Sequence, residues 1–176
     1  MIISVVLLPN SEDSQALIEY SKRLADRAFT AIQLGADMAI PHITVAQFEV
    51  EQDITERLWQ SVRSLRSLVT EMSSTGLGLV PGRIRSESWV ELLMLKSEAL
   101  RGLQQDVSES SFCQDYSIKS SYGDTYRPHC TLGLLAGFTI PELDLESSIF
   151  NHQYTGLTLA AGINGKNYTF DQIRFT

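Results

Sequence analysis

Two five-residue stretches constrain this chain more than anything else in it. Pro41-His42-Ile43-Thr44-Val45 and Pro128-His129-Cys130-Thr131-Leu132 both read Pro-His-x-Thr-aliphatic, and they lie half a chain apart. Side chains on a strand alternate between its two faces, so His42 and Thr44 share one face while Ile43 and Val45 share the other. The same parity pairs His129 with Thr131 and Cys130 with Leu132. Either stretch alone reads as an ordinary strand with a half-exposed histidine and a strand-favouring threonine. The repetition changes this, because the chain holds only three histidines, the third being His152. A fold that brings the two strands together carries two imidazoles and two hydroxyls into one cleft about a pseudo-twofold axis.

The 176 residues are a single-domain length, long enough to bury a core without disulfides. The proportions, 43% hydrophobic and 20% charged, are those of a globular protein. A net charge of −7 argues against a surface that coats nucleic acid, which has to be basic, but leaves room for a cleft that holds one nucleotide. Cys113 and Cys130 form no CxxC pair and read as free thiols in a reducing compartment, hence a cytoplasmic expectation. The apolar opening Ile2–Leu8 is short and has no basic flank, so it reads as a buried strand rather than a signal peptide. No apolar run approaches the roughly 18 residues of a membrane span.

Taken in order, residues 2–8 are a strand ended by Pro9-Asn10. Ser11 is the expected cap of a helix over 12–28, with Leu17, Tyr20, Leu24 and Ala28 at helical spacing. The first motif strand spans about 40–50. Asp53 and Glu56 resemble a capping box before a helix over about 54–68. Strands follow at about 74–80 and 88–96. Ser97 is placed to cap a helix running to about 109, and a polar loop over 114–125 delivers the second motif strand, about 126–135. Pro141, Glu142, Asp144 and Glu146 mark a surface segment. Final strands at about 154–162 and 167–175 turn through Gly162-Ile163-Asn164-Gly165. Strands and helices mix without regular alternation, which predicts an α+β fold with antiparallel sheets.

At its two motifs, His42-Ile43-Thr44-Val45 and His129-Cys130-Thr131-Leu132, the chain resembles the 2H phosphoesterase superfamily, whose signature is a pair of His-x-Thr/Ser-hydrophobic motifs. The superfamily includes 2′-5′ RNA ligase-like proteins and cyclic phosphodiesterases. The lead-in Tyr126-Arg127-Pro128-His129 and the segment Ser74-Thr75-Gly76-Leu77-Gly78-Leu79-Val80 are similar as well. The resemblance implies one bilobal unit over 1–176, with two pseudo-symmetric antiparallel sheets backed by helices around a central cleft. It implies a phosphodiesterase acting without a metal or other cofactor on 2′,3′-cyclic phosphates of nucleotides or RNA ends, with a 2′-phosphate as product. Cleavage of 2′-5′ oligonucleotides or cyclic dinucleotides, RNA ligation, and non-catalytic binding of nucleotides or RNA ends are the alternatives. A monomer with no membrane partner is expected.

The chemistry fits the residue types. Opening a phosphodiester with water needs a base on the attacking side and an acid on the leaving side, and two imidazoles titrating at about 6.5 supply both. Which of His42 and His129 is the base stays open at the level of sequence. Thr44 and Thr131, about 7 Å along the strand from their histidines, are placed to donate to non-bridging phosphate oxygens. Arg127 shares the parity of His129 and could reach the cleft to neutralise phosphate, although a solvated surface arginine is the plainer reading. Tyr126 has core parity but, like Tyr122 in the preceding loop, is a candidate for stacking on a base. Trp89 and Phe48 read as core, His152 as a surface residue, and Cys130 as pointing away from the cleft.

Overall fold

A computed structural model describes residues 1–27, 30–35, 39–50, 55–65, 69–82, 86–110, 116, 118–120, 123–136, 147–165 and 169–175. Its elements are β1 (Ile2–Leu8), α1 (Ser11–Arg27), β2 (Thr30–Gln33), β3 (Ile43–Glu49), α2 (Thr55–Ser64), β4 (Glu71–Pro81), β5 (Glu87–Met94), α3 (Glu98–Glu109), a 3-10 turn (Gly123–Thr125), β6 (His129–Ala136), β7 (Gln153–Thr155), β8 (Thr158–Asn164) and β9 (Phe170–Phe175). This is the expected α+β class, and every strand pairing is antiparallel.

The strands run β7-β4-β5-β6-β3-β1-β8-β9, with β2 added to β6. The path divides naturally into β7-β4-β5-β6 and β3-β1-β8-β9. The two runs meet at one pair, Ile43 with Cys130, between β3 and β6. Each half is built on the same plan, with a motif strand beside a central strand. β1 neighbours β3, and β5 neighbours β6. Both ladders carry an irregularity at the same motif position. Val5 pairs with Ala46 and Val6 with Thr44, leaving Val45 as the extra residue of β3. Val90 pairs with Gly133 and Glu91 with Thr131, leaving Leu132 as the extra residue of β6. Such bulges shift the alternation of side chains by one residue.

The helices form for local reasons. Helix α1 buries Leu17, Tyr20 and Leu24 on one stripe. Its cap is Asn10 rather than Ser11: the Asn10 Oδ1 accepts from the Asp13 amide at 2.9 Å, and Asn10 Nδ2 also reaches the Thr155 carbonyl. The longer amide side chain can do both, which a serine hydroxyl one residue later cannot. Ser97 caps α3 as expected, accepting from the Leu100 amide at 3.2 Å. Among the α3 residues buried with Leu100, Leu103 and Val107 is Gln104. Its Nε2 donates to the Val45 carbonyl, and its Oε1 accepts from the Gly123 amide, so one side chain ties the bulge of β3 to the turn that precedes β6.

Strand β2 is absent from the sequence-based reading, and β7 is merged there with β8 into one strand over about 154–162. β2 and β7 have four and three residues, too short for a periodic signal, and they exist because an edge is there to pair with. β4 runs from Glu71 to Pro81, longer than the expected 74–80, because Glu71, Met72 and Ser73 pair with β7. The expected turn at Gly162–Gly165 begins later, since Gly162, Ile163 and Asn164 belong to β8. Asp53, Cys113, Tyr122 and the segment 137–146 with Pro141, Glu142, Asp144 and Glu146 lie outside the described residues. No helix among the described residues is long and apolar enough to cross a membrane.

Candidate active site

The pairing of Ile43 with Cys130 sets the site. In an antiparallel pair the flanking residues run in opposite directions, so His42 lies toward Thr131 and Thr44 toward His129. Ile43, Val45, Cys130 and Leu132 are fully buried on the far side, while His42, Thr44, His129 and Thr131 are half-buried and line one cavity of about 350 Å³. That volume lies within the range of small-ligand sites. The four residues read from the motifs are therefore brought together.

Both imidazoles are held in the same way. His42 Nδ1 lies 2.7 Å from the Ile40 carbonyl, and His129 Nδ1 lies 2.9 Å from the Arg127 carbonyl. In each case the partner is the carbonyl two residues earlier, across the motif proline. A carbonyl only accepts, so Nδ1 carries the proton and Nε2 is left to the cavity in the neutral ring.

The surroundings of the two rings differ. His42 packs edge-on against Phe170, with centroids 5.0 Å apart, beside a small apolar cluster of Val6, Leu8, Ala160 and Phe170. Burial there pulls the His42 pKa below the usual imidazole value; the Ile40 carbonyl opposes the shift and the charge of His129 adds to it. Gly162 makes this packing possible, because a Cβ there would stand 2.7 Å from Phe170 Cδ1 and 2.6 Å from the Gln172 carbonyl. His129 instead faces a carboxylate. Glu91, only 5% exposed, places Oε1 3.5 Å from His129 Nε2 and Oε2 2.6 Å from Arg127 Nη2.

Glu91 carries no motif in the sequence. Its one signal is a charged residue inside the apolar run Trp89-Val90-Glu91-Leu92-Leu93-Met94, where a buried strand has to supply a partner. Trp89, which reads as core from the sequence, is half-buried and lines the cavity two residues from Glu91 on the same strand face. Gln47, Ser120, Asn164 and Thr169 also line it. Gln47 enters because the bulge at Val45 reverses the parity of β3, which sends Phe48 into the core.

Arg127 lines the cavity in its ion pair with Glu91 instead of standing alone in solvent. Tyr126 is buried, and its hydroxyl donates to the Thr44 carbonyl at 2.7 Å, joining the second motif's lead-in to the first motif. Burial raises its pKa. Cys130 lies away from the cavity, as its parity requires, and burial pushes its thiol up to about 12. His152 is not a simple surface residue: its Nε2 lies 2.8 Å from Asp13 Oδ1 and its ring packs edge-on against Tyr154. No group of three His, Cys, Asp or Glu side chains arranged to hold a metal ion occurs among the described residues.

This architecture is shared with solved structures, one of which is described as a phosphoesterase, at 17% identity and a TM-score of 0.54. Escherichia coli LigT complexed with NADP+ matches over 99% of this chain and 92% of its own, at 18% identity and a TM-score of 0.56. The MHV ns2 PDE domain matches over 100% and 99%, at 12% identity and a TM-score of 0.54. Kluyveromyces marxianus Usb1 with uridine monophosphate matches over 98% and 97%, at 14% identity and a TM-score of 0.52. At such identities the likeness is one of fold. No family model and no curated protein matches the sequence.

Proposed function

We propose that the chain is a single bilobal phosphodiesterase that hydrolyses 2′,3′-cyclic phosphates of nucleotides or RNA ends without a metal. The observation that carries this reading is the twice-used anchor of Nδ1 on the carbonyl two residues back, which leaves two Nε2 atoms for one cavity. Neighbours of the same fold supporting a nucleotide ligand are LigT complexed with 3′-AMP and Usb1 with uridine monophosphate.

The unequal surroundings support a division of roles. His42, in apolar packing that favours the neutral ring, is the base. His129, whose protonated form has Glu91 within ion-pair range, is the acid. A water molecule attacks phosphorus and gives its proton to His42 Nε2. The bond from phosphorus to the 3′ oxygen breaks, and that oxygen takes the proton from His129 Nε2. The products are a 2′-phosphomonoester and a free 3′ hydroxyl. Thr44 and Thr131 donate to the non-bridging oxygens as charge builds on them.

Incubation with 2′,3′-cyclic nucleotides in EDTA tests this reading. Turnover to the 2′-phosphate is expected, with loss of about 10²–10⁴-fold in His42→Ala and in His129→Ala. Full turnover in either variant, or formation of the 3′-phosphate alone, rejects it.

A further inference from the structure

Among the described residues that line the cavity, Glu91 and Arg127 are the two with fixed charge, and they are paired at 2.6 Å. Arg127 is therefore not a spare cation for a phosphate. Its charge is balanced by a carboxylate that is itself almost wholly buried. The fixed charges of this lining sum to zero, and what remains for an incoming anion is one imidazolium and the hydroxyl dipoles of Thr44 and Thr131. That set matches a single negative charge. A second charge on the same phosphate meets the Glu91 carboxylate, and among the described lining residues no further cation offsets it.

We propose that Glu91 is a specificity-determining residue that makes the cleft select singly charged phosphodiesters over doubly charged phosphomonoesters. The inference rests on the reading of the cleft as a phosphate site. It eases product release: the substrate is a monoanion, the product becomes a dianion near neutral pH, and the product is the species the cleft holds less well.

The backbone shows that the carboxylate is not there by structural necessity. Glu91 faces Thr131 across β5 and β6 as Val6 faces Thr44 across β1 and β3, and in both halves the bulge follows directly. The equivalent position therefore accepts an apolar side chain in one half of the same molecule. Placing a carboxylate there costs desolvation, which the Arg127 pair offsets.

The test compares adenosine 2′-phosphate, a dianion at pH 7.5, with adenosine 2′-sulfate, a monoanion of nearly the same shape, by calorimetry on the intact protein. The wild type is expected to bind the sulfate at least about threefold more tightly. Removing one fixed negative charge acts twice as strongly, in free energy, on a dianion as on a monoanion, so Glu91→Gln is expected to tighten the phosphate about tenfold and the sulfate about threefold. The double variant Glu91→Gln with Arg127→Gln restores the neutral sum and is expected to return the ratio to the wild-type value, which a merely structural role for Glu91 would not do. A wild type that prefers the phosphate, or a Glu91→Gln protein in which both ligands shift equally or not at all, overturns the inference. If Glu91→Gln fails to fold, the wild-type ratio decides alone. Normal turnover of cyclic nucleotides with an unmoved ratio sinks charge selection and leaves the hydrolase standing. The expected ratios without any turnover sink the hydrolase and leave charge selection standing. If neither ligand binds the wild type, charge selection falls, and turnover of cyclic nucleotides decides the hydrolase by itself.

Discussion

Val6 and Glu91 occupy matching places in the two halves of the molecule, each directly opposite a motif threonine and each beside the bulge that follows. One is an aliphatic side chain in a cluster with Phe170, and the other is a carboxylate in contact with Arg127 and His129. A backbone with approximate twofold symmetry thus presents two chemically different sides to whatever lies between its histidines. Symmetry brings the groups together, and the proposed division of roles rests on this difference.

The pH dependence of activity should report the apolar side. Because burial holds the His42 pKa below the ordinary 6.5, the neutral base persists to lower pH than for a free imidazole. The acid limb of kcat/KM for a 2′,3′-cyclic nucleotide is expected to lie below pH 6.5. Stability follows the same sign. The unfolded chain takes up the His42 proton before the folded one does, so this residue costs stability as pH falls through 6.5. His42→Gln should lose less stability than the wild type between pH 7.5 and 5, read as the shift in urea midpoint.

Thr44→Val and Thr131→Val each delete one hydroxyl donor and nearly preserve shape. Each is expected to lower kcat/KM by about 10²-fold, within the range for loss of one transition-state donor, with little change in thermal midpoint. Steady-state rates in EDTA check it; an effect confined to KM would mean that the hydroxyls bind ground state and transition state alike.

Gly162→Ala should act on His42 at second hand. The new methyl meets Phe170 and the Gln172 carbonyl, so β9 must move, and Phe170 with it. Overpacking of this kind costs about 1–3 kcal/mol. A lowered denaturation midpoint together with a fall in kcat is expected.

Tyr126→Phe removes the hydroxyl that donates to the Thr44 carbonyl. The loss is expected to be about 1 kcal/mol of stability, since a partly buried carbonyl is left without this donor. Chemical denaturation measures it, and a drop in kcat without loss of folding would show that the bond also aligns the two motifs.

Cys130 should resist alkylation. Its sulfur is fully buried and its thiol is raised to about 12, so the thiolate is scarce at any pH at which the protein is folded. Mass spectrometry after iodoacetamide at pH 8 is expected to find Cys130 unmodified until denaturant is added. Early labelling there with loss of activity would contradict the placement of the residue behind the cleft.

Much of this was legible in the residues because the motif parity is local. His42, Thr44, His129 and Thr131 need only a strand to share a face, and they have one. Arg127 and Tyr126 followed from the same parity, although what each touches did not. Glu91 was out of reach, because a carboxylate in an apolar strand gives no hint of which cation lies across the sheet. Trp89 and Gln47 were missed for related reasons: one depends on which face of β5 borders the cavity, the other on a bulge that no periodicity reveals. His152 and Asp13 are far apart along the chain, and only the packing of β7 beside the start of α1 makes them partners.

The extra residues Val45 and Leu132 work like a half-turn built into each motif strand. Inward of them the histidine and threonine look into the groove; outward of them the order is reset, so the remainder of β3 or β6 can be rewritten for packing while the motif keeps its aim. Ironing out the bulge while keeping Val45 in the ladder would undo that reset: Phe48 would swing toward water and Gln47 would be driven into the oily interior. Excising Val45 together with its bulge would instead join Thr44 directly to Ala46 and leave Gln47 and Phe48 facing as they do.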